Sequence, residues 1–353
     1  MSDYPNSILR EYDEAHGLYQ QFKDKLLVLL NELLSREPSI HLHSIGGRVK
    51  NRESLTKKIQ AKSYTNLNNI TDVCGIRIIT YYDQEVDAVA RIIENEFEID
   101  TENSVDKRKK ALDTFGYLSS HYIVRLRPVR LQLPEYGIFS QCQAEIQIRS
   151  IIQHAWAEIE HDLGYKSQKA VPPPVRRQFF RLAALLELAD NEFTRLKDEI
   201  TGYEKQVSSE LESRPEELYI DNTSLPVFIK QNQSFIRWDK RLADLLGAQL
   251  IDDADIIPIR VAELQALGLE TLKDVETALT KYAPRAYRFA ELWIGDKHKA
   301  EIPMGTFLLY LCYSLAAAIE NEKDVAANLR KINVSVDPAK VIDTYRRAAR
   351  DTA

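Results

Sequence analysis

Glu145, Gln147 and Arg149 alternate with Ala144, Ile146 and Ile148, and the segment passes straight into Ser150 to His161. The period changes there from 2 to about 3.6, which predicts a strand feeding a helix. A carboxylate, an amide and a guanidinium on one strand face are costly unless something outside the core uses them. A metal-nucleotide complex is one such user. Asp72 lies at or near a second predicted strand, and two converging carboxylates are the simplest protein site for Mg2+, which takes its other ligands from water and phosphates. Read blandly, the pair is one exposed strand end and one exposed strand face.

Arg48, Lys50, Lys57, Lys58 and Arg77 form a cationic set, with Arg52, Ser54 and Lys62 nearby. A triphosphate needs several donors, and a planar guanidinium also stacks on a base. The plain alternative is a solvated charged face. Gly75, inside a predicted strand, favours ligand approach. Tyr117, Ser119 and His121 share one face of a turn entering a strand, and could stack a base and bind sugar or phosphate. Otherwise they are an edge tyrosine and a satisfied histidine. His154, Glu158 and His161 sit at i, i+4 and i+7 but lack the two-histidine zinc spacing, and His41 with His43 is weaker still as a metal pair.

These residues need elements to position them. Residues 5–34 read as an amphipathic helix, followed by a short segment from Ile40 to Ile45 and a turn at Gly46-Gly47. Asp72 to Tyr82 reads as a strand, with Gly75, Arg77 and Ile79 on one face and Asp72, Cys74, Ile76 and Ile78 on the other. Glu85 to Phe97 is a helix, residues 103–110 a loop or lid, and Tyr117 to Leu126 a strand. In the helix after Arg149 the expected core stripe is Ile152, Trp156, Ile159 and Leu163. Pro172-Pro173-Pro174 should break the chain before a long helix from Val175 to about Glu204, striped by Phe179, Leu182, Leu185, Leu186, Ala189, Phe193 and Leu196. Beyond Val207 short helices follow, two of them joined at Gly268.

The chain of 353 residues fits two domains, divided at 1–205 and 206–353. With 44% hydrophobic and 28% charged residues it reads as a folded globular protein. No apolar run is long enough to span a bilayer, the acidic N-terminus is no signal peptide, and three isolated cysteines suit a reducing cytoplasm. A net charge of -6 argues against coating nucleic acid.

In this order the motifs resemble the synthetase domain of the RelA/SpoT family of (p)ppGpp synthetases. The similar residues are Arg48-Val49-Lys50 with Ser54 and Lys58, Asp72 to Arg77, Gly116 to His121, and Glu145 to Arg149 through Trp156-Ala157 and Glu160-His161, within residues 20–205. The resemblance implies an α+β, nucleotidyltransferase-like fold: a mixed sheet flanked by helices, here with an added mainly helical C-terminal region. It implies transfer of the β,γ-pyrophosphate of ATP to the ribose 3′-hydroxyl of GDP or GTP. By the same resemblance Asp72 and Glu145 would hold Mg2+, Glu145 doubling as a candidate base. Arg48 and Arg77 would clamp adenine, and Lys50, Ser54 and Lys58 would engage ATP phosphates. Tyr117 would stack on guanine, with Ser119, His121, Gln147 and Arg149 on the acceptor side.

The chain departs from the family where Asp113-Thr114-Phe115 replaces a Pro-Lys pair, leaving Lys107, Arg108, Lys109 and Lys110 to supply charge to the acceptor. Leu118 replaces a polar residue, which leaves the GDP-versus-GTP preference open. No hydrolase domain precedes the synthetase, so the chain resembles a small, synthetase-only member. The alternatives are a toxin-type relative acting on an adenine nucleotide or the 3′ end of tRNA, with Arg176, Arg177 and Arg181 as a docking strip, and a silent nucleotide-sensing module. The C-terminal region is read as a helical packing or regulatory domain that binds a regulator or covers the catalytic domain. A helix-hairpin-helix at Gly268 is disfavoured by Glu263, Glu270, Asp274 and Glu276. Self-association into a homo-oligomer stays open.

Overall fold

The computed structural model describes residues 4–62, 64–106, 119–163, 172–318, 322–332 and 336–352. Residues divide into two compact units, Met1–Leu196 and Lys197–Ala353. The first opens with α1 (Tyr4–Ser35), then β1 (Leu42–Val49), α2 (Arg52–Ala61), β2 (Cys74–Thr80) and α3 (Asp83–Glu96). Two short strands, β3 (Phe97–Ile99) and β4 (Val105–Asp106), precede β5 (Ser120–Leu126). Two helical turns, α4 (Pro128–Leu131) and α5 (Pro134–Gly137), lead to β6 (Ala144–Ser150), α6 (Ile151–Asp162) and α7 (Pro173–Glu210).

The sheet has the order β1-β2-β6-β5-β3, with β4 also pairing β5. It is mixed: β2 and β6 run parallel, and the other pairs are antiparallel. One face is apolar. Cys74, Ile76, Ile78, Ala144, Ile146 and Ile148 are buried there with Phe22, Leu26 and Leu30 of α1 and Val86, Val89 and Ile93 of α3. Truncating Ile146 to alanine should cost about 2–5 kcal/mol, the usual range for a fully buried branched side chain. The opposite face carries the polar residues of β2 and β6, as the alternation requires.

Several elements differ from the sequence expectation. Gly46-Gly47 is not a turn: both residues pair with β2 and β1 runs through them, and a Cβ at Gly47 would lie 2.7 Å from Ile76 Cδ1 and 2.9 Å from Lys23 Cγ, so glycine there lets α1 approach. Asp72 precedes β2 instead of lying within it. Pro173 and Pro174 form the first turn of α7, where a missing N–H costs nothing. In α6 only Trp156 of the expected stripe is buried; it packs with Phe179, Ala183 and Leu186, while Ile159 and Leu163 are 52% and 59% exposed. In α7 Leu182, Leu185, Phe193 and Leu196 are likewise exposed, because the inward face is set by Phe179, Ala183, Asp190 and Thr194.

The second unit is helical: α8 (Ser224–Gln231), α9 (Gln233–Leu246), α10 (Ile257–Ala266), α11 (Leu272–Ile294), α12 (Phe307–Ala317), α13 (Glu322–Lys331) and α14 (Pro338–Asp351). Two short parallel strands, β7 (Gln249–Ile251) and β8 (Glu301–Pro303), add a ribbon. Gly268 does join two helices, in a left-handed conformation at φ +84°, but α11 is far longer than a hairpin helix, and Phe228, Phe235, Phe289 and Phe307 anchor a core of its own. Buried Asp239 accepts hydrogen bonds from the backbone N–H groups of Gly305 (2.8 Å) and Phe307 (2.9 Å). Among the described residues no helix is long and apolar enough to cross a membrane.

Candidate active site

The polar face of the sheet floors a cavity of about 500 Å³, lined by residues that include Arg48, Lys50, Asp72, Gly75, Arg77, Glu145 and Gln147. Strand register builds it. Arg48 pairs with Gly75, and Gly75 with Glu145; one row along, Gly46 pairs with Arg77, Arg77 with Gln147, and Gln147 with His121. Paired residues point to the same side, so these side chains converge.

Asp72 and Glu145 line the same cavity. Lys50 Nζ lies 3.0 Å from Asp72 Oδ2. Lys58 Nζ, from α2, lies 2.8 Å from Asp72 Oδ1, yet this buried oxygen accepts no well-directed hydrogen bond. Asn51 caps α2 by accepting from the Ser54 N–H, which fixes the helix that carries Lys58. Glu145 is held on both oxygens: Oε1 is 2.8 Å from His121 Nδ1, and Oε2 accepts from Gln147 Nε2 at 3.1 Å. Burial pushes the pKa of Glu145 up, but the His121 hydrogen bond and charge, the Gln147 amide and the Lys58 charge outweigh it and bring the value down to about 2.

The chain of contacts extends both ways. His121 Nε2 is 2.7 Å from Ser119 Oγ, and Arg149 Nη2 donates to Gln147 Oε1 at 3.1 Å. Arg149 Nε is buried without a partner, and burial followed by the Arg77 charge lowers the pKa of this guanidinium. A cationic group with an unused donor beside an open cavity suits an anionic ligand.

The expected residues therefore fall into three sets. Arg48, Lys50, Asp72, Arg77, Glu145 and Gln147 line the cavity, with Lys58 held against Asp72 and with Ser119, His121 and Arg149 joined to Glu145 through hydrogen bonds. Ser54 is exposed in the first turn of α2 and is not among the lining residues, and Lys57 turns away to pair with Glu53 at 2.6 Å. Lys107, Lys110 and Tyr117 lie outside the described residues.

Sequence reasoning missed two contributors. Glu158 of α6 accepts from Arg77 Nη1 at 3.0 Å, where spacing had offered it only as a weak metal ligand. Gly46, taken for a turn, lies in the floor opposite Arg77. His41 Nδ1 sits 2.6 Å from buried Glu85, and among the described residues no group of three or more His, Cys, Asp or Glu is arranged to hold a metal ion. Burial raises the thiol pKa of Cys74 to about 12 and of Cys142 to about 11, which leaves no cysteine nucleophile in this unit.

Residues 47–170 match the region found in RelA / SpoT proteins. The match lies wholly within the first unit. The matched stretch begins one residue before Arg48 and takes in β2, β5, β6 and α6. Two curated proteins similar to this chain come from Bacillus subtilis (strain 168). The GTP pyrophosphokinase YjbM is 26% identical over 191 residues, covering 52% of this chain and 86% of the relative. The GTP pyrophosphokinase YwaC is 27% identical over 211 residues, covering 53% and 96%. Among solved structures, the small alarmone synthetase 1 from Bacillus subtilis bound to its product pppGpp is 23% identical, with a TM-score of 0.45, covering 54% of this chain and 99% of that one.

Proposed function

We propose that the first unit is a (p)ppGpp synthetase, transferring the β,γ-pyrophosphate of ATP to the 3′-hydroxyl of GDP or GTP and releasing AMP. The observation that carries this reading is one cavity lined by Asp72 and Glu145 together with Arg48, Lys50 and Arg77. The RelA/SpoT region and the two relatives named GTP pyrophosphokinases support it.

In this reaction the 3′-oxygen attacks the β-phosphorus, the bond to the α,β-bridging oxygen breaks, and AMP departs with the electron pair. Such transfers need positioning and charge neutralisation more than covalent help. In this reading Lys50 and Lys58 engage the triphosphate, and Arg48 and Arg77 the base of the donor. The acceptor side is given, by resemblance, to His121, Gln147 and Arg149 together with Tyr117, Lys107 and Lys110. In this reading Glu145, ionised at neutral pH, accepts the hydroxyl proton. A carboxylate with a pKa of about 2 is a weak base, so proton removal belongs late in the step, once bonding to phosphorus has made the hydroxyl acidic.

Two carboxylates in one cavity, one with an oxygen lacking a directed donor, fit Mg2+. Asp72 and Glu145 would hold it. When bound it neutralises phosphate charge and orients the triphosphate.

The test is a transfer assay with ATP labelled at the γ-phosphate, Mg2+ and separate acceptors: GDP, GTP, ADP, ATP and deacylated tRNA. Label on guanine nucleotides is the expected result. Label on tRNA alone, or on no acceptor, overturns it.

A further inference from the structure

Two glycines in the cavity floor have no steric reason to be glycine. A Cβ built on Gly46 meets nothing within 4 Å, and one on Gly75 meets only the Arg48 carbonyl oxygen at 3.9 Å. Neither is among the residues with positive φ. Both lie inside strands, where glycine is unfavourable because it supplies no packing surface and loses more chain entropy on folding. Gly47, between them in the pattern, contrasts sharply: its Cβ would collide with Ile76 and Lys23. The fold requires Gly47 and would accept a side chain at Gly46 and Gly75.

The register shows what the missing side chains leave open. Arg48 pairs with Gly75 and Arg77 with Gly46, so the four positions form a block with arginines on one diagonal and glycines on the other. Diagonal neighbours in an antiparallel pair stand about 7–8 Å apart. A flat ring in van der Waals contact with a plane on each side needs about 3.5–4.0 Å twice over. One aromatic layer therefore fits between the two arginine stems, and the bare backbone of Gly46 and Gly75 lets it sink to the sheet.

We propose that Gly46 and Gly75 are specificity-determining residues of the donor subsite: their missing side chains open a slot, one ring thick, that admits the planar base of a nucleoside triphosphate between Arg48 and Arg77. This rests on the reading of the cavity as a nucleotide site. It assigns affinity for the base to the glycines and leaves affinity for the phosphates to Lys50 and Lys58.

The test measures calorimetric binding of a non-hydrolysable ATP analogue with Mg2+, and of inorganic tripolyphosphate, which has no base. Proteins compared are the wild type, Gly46→Ala, Gly46→Val, Gly75→Ala and Gly75→Val, each with its melting temperature. Valine favours strands, so melting temperatures should hold or rise. Each valine variant should lose at least about tenfold in affinity for the analogue, about one hydrogen bond's worth of free energy, and the alanine variants less, with tripolyphosphate binding unchanged. Valine variants that keep their fold and bind the analogue like the wild type overturn the proposal. So does an equal loss for tripolyphosphate, which would mean general damage to the site. A wild type that binds tripolyphosphate and no nucleotide analogue would instead overturn the nucleotide reading itself, and the slot with it.

Discussion

Arg77 in β2 donates to Glu158 in α6 at 3.0 Å, across 81 positions of sequence. The bond ties a guanidinium that lines the cavity to the helix that follows β6. It holds the planar fork in one orientation before any ligand arrives, and a pre-oriented arginine loses less entropy on binding. Glu158→Ala should weaken binding of an ATP analogue about threefold to tenfold, while the melting temperature stays within about 2 °C, since exposed ion pairs contribute roughly 0–1 kcal/mol. Titration calorimetry beside a thermal melt would read both.

Lys57 and Lys58 are neighbours in sequence with different surroundings: one pairs with Glu53 in solvent, the other faces Asp72. Lys58→Met should reduce tripolyphosphate affinity by about tenfold or more, the scale of a charge-assisted hydrogen bond. Lys57→Met should leave it within about twofold. Equal effects from the two would mean that the strip acts only as diffuse charge.

The Glu145 carboxyl sets a pH dependence of stability in metal-free protein. Its pKa is about 2 in the folded chain, against 4.5 for a free glutamate side chain. A depressed pKa means that the folded state favours the ionised form. The stabilisation, on the order of 3 kcal/mol, is present above pH 4.5 and is lost as pH falls through about 2. Glu145→Gln removes this dependence, so urea midpoints of variant and wild type should converge between pH 4.5 and pH 2. The same variant should nearly abolish pyrophosphate transfer at neutral pH while remaining folded.

In the second unit, Asp239→Ala would leave the Gly305 and Phe307 N–H groups buried without acceptors. A loss of about 2–4 kcal/mol in urea unfolding is expected. Asp239→Asn, which keeps one oxygen, should lose less. Gly305 adopts φ +92°, so its loop depends on this anchor and on the absence of a side chain.

Much of the site was legible because a strand with one buried face writes its register in plain alternation. Ala144, Ile146 and Ile148 had to face inward, which fixed Glu145, Gln147 and Arg149 outward, and β2 repeated the logic with Gly75 and Arg77. What failed depended on neighbours invisible from local sequence. Gly46-Gly47 carries a strong turn signal, yet both residues pair with β2, and the closeness of Lys23 and Ile76 accounts for the glycine at 47. Ile159 and Leu163 match a helical stripe, yet of that stripe only Trp156 is buried, with Gln153 beside it on the inward side. Glu158 has a partner no spacing rule could find.

The parallel ladder between β2 and β6 also sets a timetable. β1 and β2 are joined by a local connection and can pair early, so the cationic wall can exist while synthesis continues. Gly75 meets Glu145 only after the whole intervening stretch has emerged, and such distant pairings form slowly. A nascent chain halted before Ala144 has one of the two carboxylates and only the β1-β2 part of the floor. Whatever the finished site makes, an unfinished copy on the ribosome cannot make it.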